Sequence, residues 1–233
     1  MLCKIADLCV EIPEAGGMSS RLGSYRASEE CTPDFIIREE FYSAARWPNL
    51  HKKHLAYMDS GFLFYTKLIL HDGLMLHASA VELDGGAYLF SGPSGMGKST
   101  HANLWCEQFT GARIFNDDKP ALRRLDGVWY AYGTPWCGKN GININIKTPL
   151  KAITFLKRGE ENKIRRLSVF EAAAAIITQT TRHFNTPSKP GALADLISKL
   201  VSDIPIFEFT CLPTPEAASM SYMAMSSAMG GSL

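Results

Sequence analysis

Apolar residues along this chain fall into short runs cut by Gly, Pro, Asp and Asn, with a few longer stretches of helical period. Residues 1–12, MLCKIADLCVEI, are apolar enough for one strand, which Pro13 and Gly16-Gly17 end. Residues 13–34 mix Gly, Ser, Pro and charges and read as a surface excursion with at most one short strand; Phe35-Ile36-Ile37 reads as another brief strand. The pattern turns helical from Arg38 to Arg46, stopped by Pro48, and again from Leu50 to Leu70. In the second run Leu55, Met58, Phe62, Leu63, Tyr65 and Ile69 recur at helical spacing, with Gly61 as a break, and its aromatics read as core.

Residues 74–83, LMLHASAVEL, are strand-like, and Asp84-Gly85-Gly86 supplies residues that tolerate positive φ. A strand over Ala87–Ser91 follows at once, so the two should pair as an antiparallel hairpin. Parallel β-α-β crossovers need a dozen or more connecting residues, so this short link predicts a mixed sheet. Beyond it, Thr100–Phe109 reads as a helix and Gly111–Phe115 as a short strand delivering Asn116-Asp117-Asp118-Lys119. Leu122–Leu125 and Val128–Tyr132 flank Asp126-Gly127, a hairpin signal. A loop rich in special backbone residues, Gly133–Lys139, precedes Ile142–Ile146, whose alternation puts isoleucines on one face and asparagines on the other. Leu150–Leu156 is a strand, Ser168–His183 a helix, 191–202 a helix, Pro205–Cys211 a strand, and Pro215–Met229 a last helix that Gly230-Gly231 ends.

The candidate chemistry starts at Gly92-Pro93-Ser94-Gly95-Met96-Gly97-Lys98-Ser99, which fits the phosphate-loop (P-loop, Walker A) pattern G-x-x-x-x-G-K-[ST] without mismatch. Glycines let consecutive backbone N–H groups curl around phosphate oxygens; Lys98 reaches the β- and γ-phosphates, and the Ser99 hydroxyl suits Mg²⁺. A helix starting near Lys98, through Thr100, turns the positive end of its dipole toward the same anion. The nucleotide-binding residues are therefore Gly92 through Thr100, and strand, loop and helix stand in the order the motif requires.

Asp117-Asp118 supplies carboxylates at the end of a neighbouring strand, where one can hold Mg²⁺ and the other accept the proton of an acceptor hydroxyl. A polar turn is the plain alternative. His77, on the first strand of the hairpin, is either a sheet-surface histidine or an assistant to the base or phosphate. Lys139 and Asn140 are placed to approach the γ-phosphate or the acceptor, or are simply solvated; Lys157, Arg158, Lys163, Arg165 and Arg166 read as a solvated turn, with acceptor docking the alternative.

Composition narrows the partners. A net charge of +1 gives no basic field for nucleic acid, and no run of apolar residues is long enough for a membrane span. Lys4 and Asp7 interrupt the opening apolar run, so no signal peptide is expected and the expected compartment is the cytoplasm. The six cysteines, Cys3, Cys9, Cys31, Cys106, Cys137 and Cys211, show no metal-ligand spacing and read as idle thiols.

His77 through Asp118 resembles the catalytic domain of HPr kinase/phosphorylase and, more distantly, ATP-dependent phosphoenolpyruvate carboxykinase. The likeness rests on a histidine ahead of the loop, the G-x-S-G-x-G-K-[ST] form with Ser94, and a double aspartate followed by basic Lys119. The Gly133–Lys139 loop is similar to that of small HPr-kinase-like proteins, some found beside peptide-modification genes. The family's later glutamate and arginine have no identified counterpart here. The resemblance implies an α/β P-loop domain with a mixed, largely antiparallel sheet flanked by helices. It would span 1–233 as one unit: 1–70 integral to it, 71–160 the nucleotide-binding core, 161–233 the C-terminal helices and edge strand. It also implies ATP and Mg²⁺, with Asp117 as catalytic base, His77 and Lys98 assisting, and Asp118 and Ser99 on the metal. The expected activity is transfer of the γ-phosphate to a hydroxyl, serine above all, of a protein, peptide or small molecule. A nucleotide-binding regulatory module or slow ATPase is the alternative, and self-association is left open.

Overall fold

The first twelve residues do not form one strand. In the computed structural model, which describes residues 1–13, 18–27, 31–38, 47–180 and 191–228, they fold as a hairpin of β1 (Leu2–Ile5) and β2 (Leu8–Glu11). Ala6 and Asp7 turn it at positive φ, and with no glycine at the turn the apolar run hides the reversal. β3 (Phe35–Ile36) lies parallel to β2. The segment read as a surface excursion buries Met18, Leu22 and Tyr25 under this small sheet, at helix-like spacing. Cys9 and Cys31 are joined in a disulfide, which corrects the reading of all six cysteines as idle thiols; Cys3, Cys106, Cys137 and Cys211 are free. Tertiary proximity brings the pair together: Cys9 N donates to Asp34 Oδ2 at 2.7 Å, and Asp34 N donates back to the Cys9 carbonyl at 2.8 Å.

The helix expected over Arg38–Arg46 lies outside the described residues beyond 38. α1 (Lys52–Leu68) is capped by His51, whose Nδ1 accepts from Lys53 N, and runs through Gly61 without a break. The glycine serves close approach instead: a Cβ there would meet the Trp136 ring at 2.7 Å. Phe64, Tyr65 and Leu68 of α1 pack with Trp136 and the small sheet in one apolar cluster.

The main sheet is mixed and mostly antiparallel, as expected. It contains β4 (Gly73–Met75), β5 (Ala78–Leu83), β6 (Gly86–Ser91), β7 (Arg113–Asn116), β8 (Ala121–Leu125), β9 (Val128–Tyr132), β10 (Lys147–Arg158), β11 (Lys163–Arg166) and β12 (Ile206–Cys211). Its order is β4-β8-β9-β10-β6-β5-β7, with β12 beside β10 and β11 beside β12. Asp84 and Gly85 turn β5 into antiparallel β6 at positive φ, and Asp126-Gly127 does the same for β8 and β9, both as the sequence predicts. The long β10 joins two halves of the sheet: Lys147–Pro149 pair with β9, while the rest runs parallel to β6 on one side and β12 on the other.

Three expectations change. The run 74–83 splits at Leu76-His77, so β4 joins β8 while β5 joins β6 and β7; His77 sits between the strands rather than inside one. Ile142–Ile146 makes only a single bridge, Asn116 to Asn143. Its asparagines instead hold the N-terminal segment, with Asn143 donating to the Arg21 carbonyl and Asn145 to that of Ser24. The basic cluster is not a turn, because Lys163–Arg166 form β11 and Lys157 and Arg158 end β10.

α3 (Val169–Gln179) opens with a capping box between Ser168 and Glu171 and stops short of the expected His183, since Thr180 is already extended; residues 181–183 lie outside the described residues. α3 and α4 (Ala192–Asp203) cover one face of the sheet, and α2 (Lys98–Gln108) with α5 (Pro215–Ser227) covers the other. Among the described residues no helix is long and apolar enough to cross a membrane.

Candidate functional site

β6 is buried along its whole length and stops at Ser91, where the chain leaves the sheet into Gly92–Gly97. Gly97 caps α2 at φ +100°, a conformation that L side chains resist, so the loop can turn directly into the helix. Lys98, 8% exposed, folds back over the loop: its Nζ donates to the Gly92 carbonyl at 2.9 Å and the Pro93 carbonyl at 3.2 Å. Burial pulls its pKa down, and the charge of Asp118 opposes the shift. Ser94 and Thr100 are exposed and Ser99 half-buried at the start of the helix.

Beside the loop, β7 ends in Asn116, which is wholly buried. Its Nδ2 donates to the Thr134 carbonyl at 3.0 Å, and its Oδ1 accepts from Asp118 N at 3.1 Å and Lys119 N at 2.8 Å. This side-chain turn points the two following carboxylates in different directions. Asp117, 7% exposed, accepts from Gly138 N at 2.6 Å and Asn140 N at 3.2 Å. The loop can come this close because residue 138 lacks a side chain: a Cβ there would lie 3.0 Å from Asp117 Oδ2.

Asp118 faces the other way. Its Oδ1 lies 3.1 Å from His77 Nε2, and its Oδ2 is paired with the Lys119 ammonium. Burial pushes the Asp118 carboxyl up, but the His77 ring and the Lys119 ammonium outweigh it and hold the pKa at about 2. The same pairing keeps Lys119 above the usual lysine value, although burial pulls it down. His77 is itself fixed from α3. Its backbone N donates to the Gln179 carbonyl at 2.8 Å, and its Nδ1 lies 3.2 Å from Gln179 Oε1. Ser91 Oγ, at the end of β6, donates to the His77 carbonyl at 2.9 Å.

The structure therefore brings His77, Asp118 and Lys119 into one hydrogen-bonded group, whose carboxylate acts electrostatically on Lys98, and sets Asp117 beside it, held by the 138–140 amides. Lys139 is an exposed loop residue, and Asn140 reaches the site through its backbone. Among the described residues there is no group of three or more His, Cys, Asp or Glu fit to hold a metal ion.

Several contributors have no sequence signal. Tyr57 OH, from α1, donates to the Cys137 carbonyl at 2.8 Å, and Arg21 Nη1 donates to the same carbonyl at 2.9 Å. The Arg21 guanidinium also lies 4.8 Å from the centre of the Tyr57 ring. Tyr65 OH and Thr134 Oγ1 donate to the Lys119 carbonyl at 2.6 and 2.7 Å. Only Asn116 could have been found, from the turn chemistry of Asn-Asp-Asp.

No curated protein matches the chain. Among solved structures, the Hpr(Ser) kinase/phosphatase from Coxiella burnetii is similar to 67% of this chain and 99% of its own, at 12% identity and a TM-score of 0.41. The profile of the family described as SynChlorMet cassette protein ScmC matches residues 51–186, from the start of α1 through the loop, both aspartates and α3. That is more than half of the chain, which therefore belongs to the ScmC family.

Proposed function

We propose that this protein is an ATP-dependent kinase that transfers the γ-phosphate to a hydroxyl, with serine the first candidate. One observation carries the reading: beside a complete phosphate loop, Asp117 is fixed by two loop amides next to Asp118, whose charge acts on the loop lysine. Hydrolysis alone requires no second carboxylate held in this way, whereas transfer to an alcohol needs a base for its proton.

In this reading the loop amides and Lys98 hold the β- and γ-phosphates, and Ser99 and Asp118 would hold Mg²⁺. Two oxygen ligands are enough, because Mg²⁺ binds through one or two protein oxygens, phosphates and water. The ion supplies neutralisation of charge on the phosphate oxygens. Asp118 suits that place, since a carboxyl with a pKa of about 2 stays anionic and is a poor base. Asp117 takes the acceptor proton as the hydroxyl oxygen bonds to the γ-phosphorus. The bond from that phosphorus to the β–γ bridging oxygen breaks, and ADP leaves with the electron pair. His77, held by Gln179, keeps Asp118 in place.

The test is incubation with γ-labelled ATP, Mg²⁺ and hydroxyl-bearing peptides and small molecules. Label should move to an acceptor, and Asp117→Asn should reduce transfer about 10³-fold while ATP affinity holds. ATP binding with no label moved to any acceptor overturns the kinase reading in favour of a regulatory module or slow ATPase.

A further inference from the structure

Among the described residues, two cavities flank the phosphate loop, on opposite faces of the sheet. One, of about 370 Å³, opens beside Gly97, Thr100 and Leu104 of the loop and α2. The other, of about 430 Å³, lies between α3 and the ends of β10 and β12, and touches the start of the loop at Gly92 and Pro93. In a phosphate loop the lysine reaches the β- and γ-phosphates, while the backbone amides of the loop and of the first helical turn hold the α- and β-phosphates. The nucleoside therefore leaves past Thr100, toward the first cavity. The second is left on the γ-phosphate side, bordering the carbonyls to which Lys98 donates.

This second groove is apolar where it is open. Phe155 forms its floor, and Phe170 and Ala174 of α3 its wall. Phe170 is 84% exposed; with exposed Ala174 and Ile177 it makes one stripe along α3, an uncovered apolar surface. The charges at the rim are already matched, Lys157 with Glu208 and Arg165 with Glu171 and Glu208, so the rim does not select a charged ligand. At its inner end the groove is lined by Gln179, which also contacts His77. An occupant of the groove thus lies against the residue that fixes the His77–Asp118 pair.

We propose that the α3 groove docks an apolar side chain of a peptide whose hydroxyl is the phosphate acceptor. The proposal rests on the kinase reading. The groove's continuity with Gln179 and with the γ-phosphate end of the loop argues for the acceptor, and its apolar, charge-balanced lining argues for a Leu, Ile, Met or Phe side chain.

The test uses the full chain, labelled ATP, Mg²⁺ and arrayed peptides with one central serine and degenerate flanks. One flanking position should select large apolar residues. For a peptide chosen in this way, Phe170→Glu and Ala174→Arg should each raise KM at least tenfold. Both positions are exposed, so neither change enters the core. Labelling without an apolar preference, or an unchanged KM in both variants, overturns the docking and leaves the kinase reading intact. An equal loss of affinity for ATP in Phe170→Glu assigns the groove to the nucleoside and also overturns it. Label found only on small-molecule alcohols overturns the peptide but not the kinase; label on nothing overturns both.

Discussion

Asp117 and Asp118 are neighbours in sequence but belong to two different regions of the molecule. Asp117 is closed in by the 138–140 loop and held by two backbone N–H groups. Asp118 is held by two side chains, His77 and Lys119, and its charge acts on Lys98 of the phosphate loop. Amides donate hydrogen bonds without bringing a full charge, whereas the ion pairs drive the Asp118 pKa to about 2. The difference shows how adjacent carboxylates come to differ: one is held by neutral amides, the other is kept anionic by its ion pairs, and the proposed kinase assigns them different tasks. Asn116, by accepting from both Asp118 N and Lys119 N, is the turn that separates them.

The sharpest way to break this contrast is Asp118→Asn. It leaves Lys119 paired with a neutral amide, removes the charge that acts on Lys98, and should lower phosphate transfer about 10²- to 10³-fold. Half-saturation by Mg²⁺ should rise at least tenfold, measured by titrating the metal at saturating ATP, while Asp117→Asn should leave that midpoint in place. If both variants shift it alike, the two carboxylates share one role and the contrast is lost.

Acid stability sharpens the same contrast with a smaller effect. The folded pKa of Asp118 lies below its ordinary 3.8, so its ion pairs contribute stability that is present above about pH 4. That contribution is lost as pH falls through 4 toward 2. The shift corresponds to about 2 kcal/mol, and urea midpoints measured between pH 5 and 2.5 should show it. Asp118→Asn should remove that part of the acid limb; a limb of unchanged depth would mean that the pairing adds nothing to folding.

Much of the centre of the molecule was legible because its signals are local. The loop from Gly92 to Ser99, the Asp84-Gly85 and Asp126-Gly127 turns and the capped helices each depend on residues a few positions apart. What escaped depends on distant partners. The break at Leu76-His77 arises because Leu76 N donates to the Pro120 carbonyl and His77 N to that of Gln179, and no apolar pattern encodes either contact. The Cys9–Cys31 disulfide, the burial of Tyr25 and the reach of Arg21 to Cys137 are likewise set by how the N-terminal sheet seats against Trp136. Ile142–Ile146 alternates like a strand, yet its asparagines are used to hold residues 21–24.

The smallest test is confined to the region of Asp117. Gly138→Ala places a methyl group 3.0 Å from Asp117 Oδ2 while the residue's own N–H still donates to Oδ1, so loop or carboxylate must shift by a few tenths of an ångström. A base displaced that far from its acceptor should transfer phosphate about tenfold more slowly, since larger misplacements of about 1 Å cost about 10²-fold. ATP affinity and the Mg²⁺ midpoint should stay at their wild-type values, because the three atoms nearest the methyl group all belong to Asp117. A slower variant with an unmoved Mg²⁺ midpoint keeps the two regions distinct. A midpoint that moves as it does in Asp118→Asn would show the 138–140 loop acting on both carboxylates, through the turn that Asn116 holds.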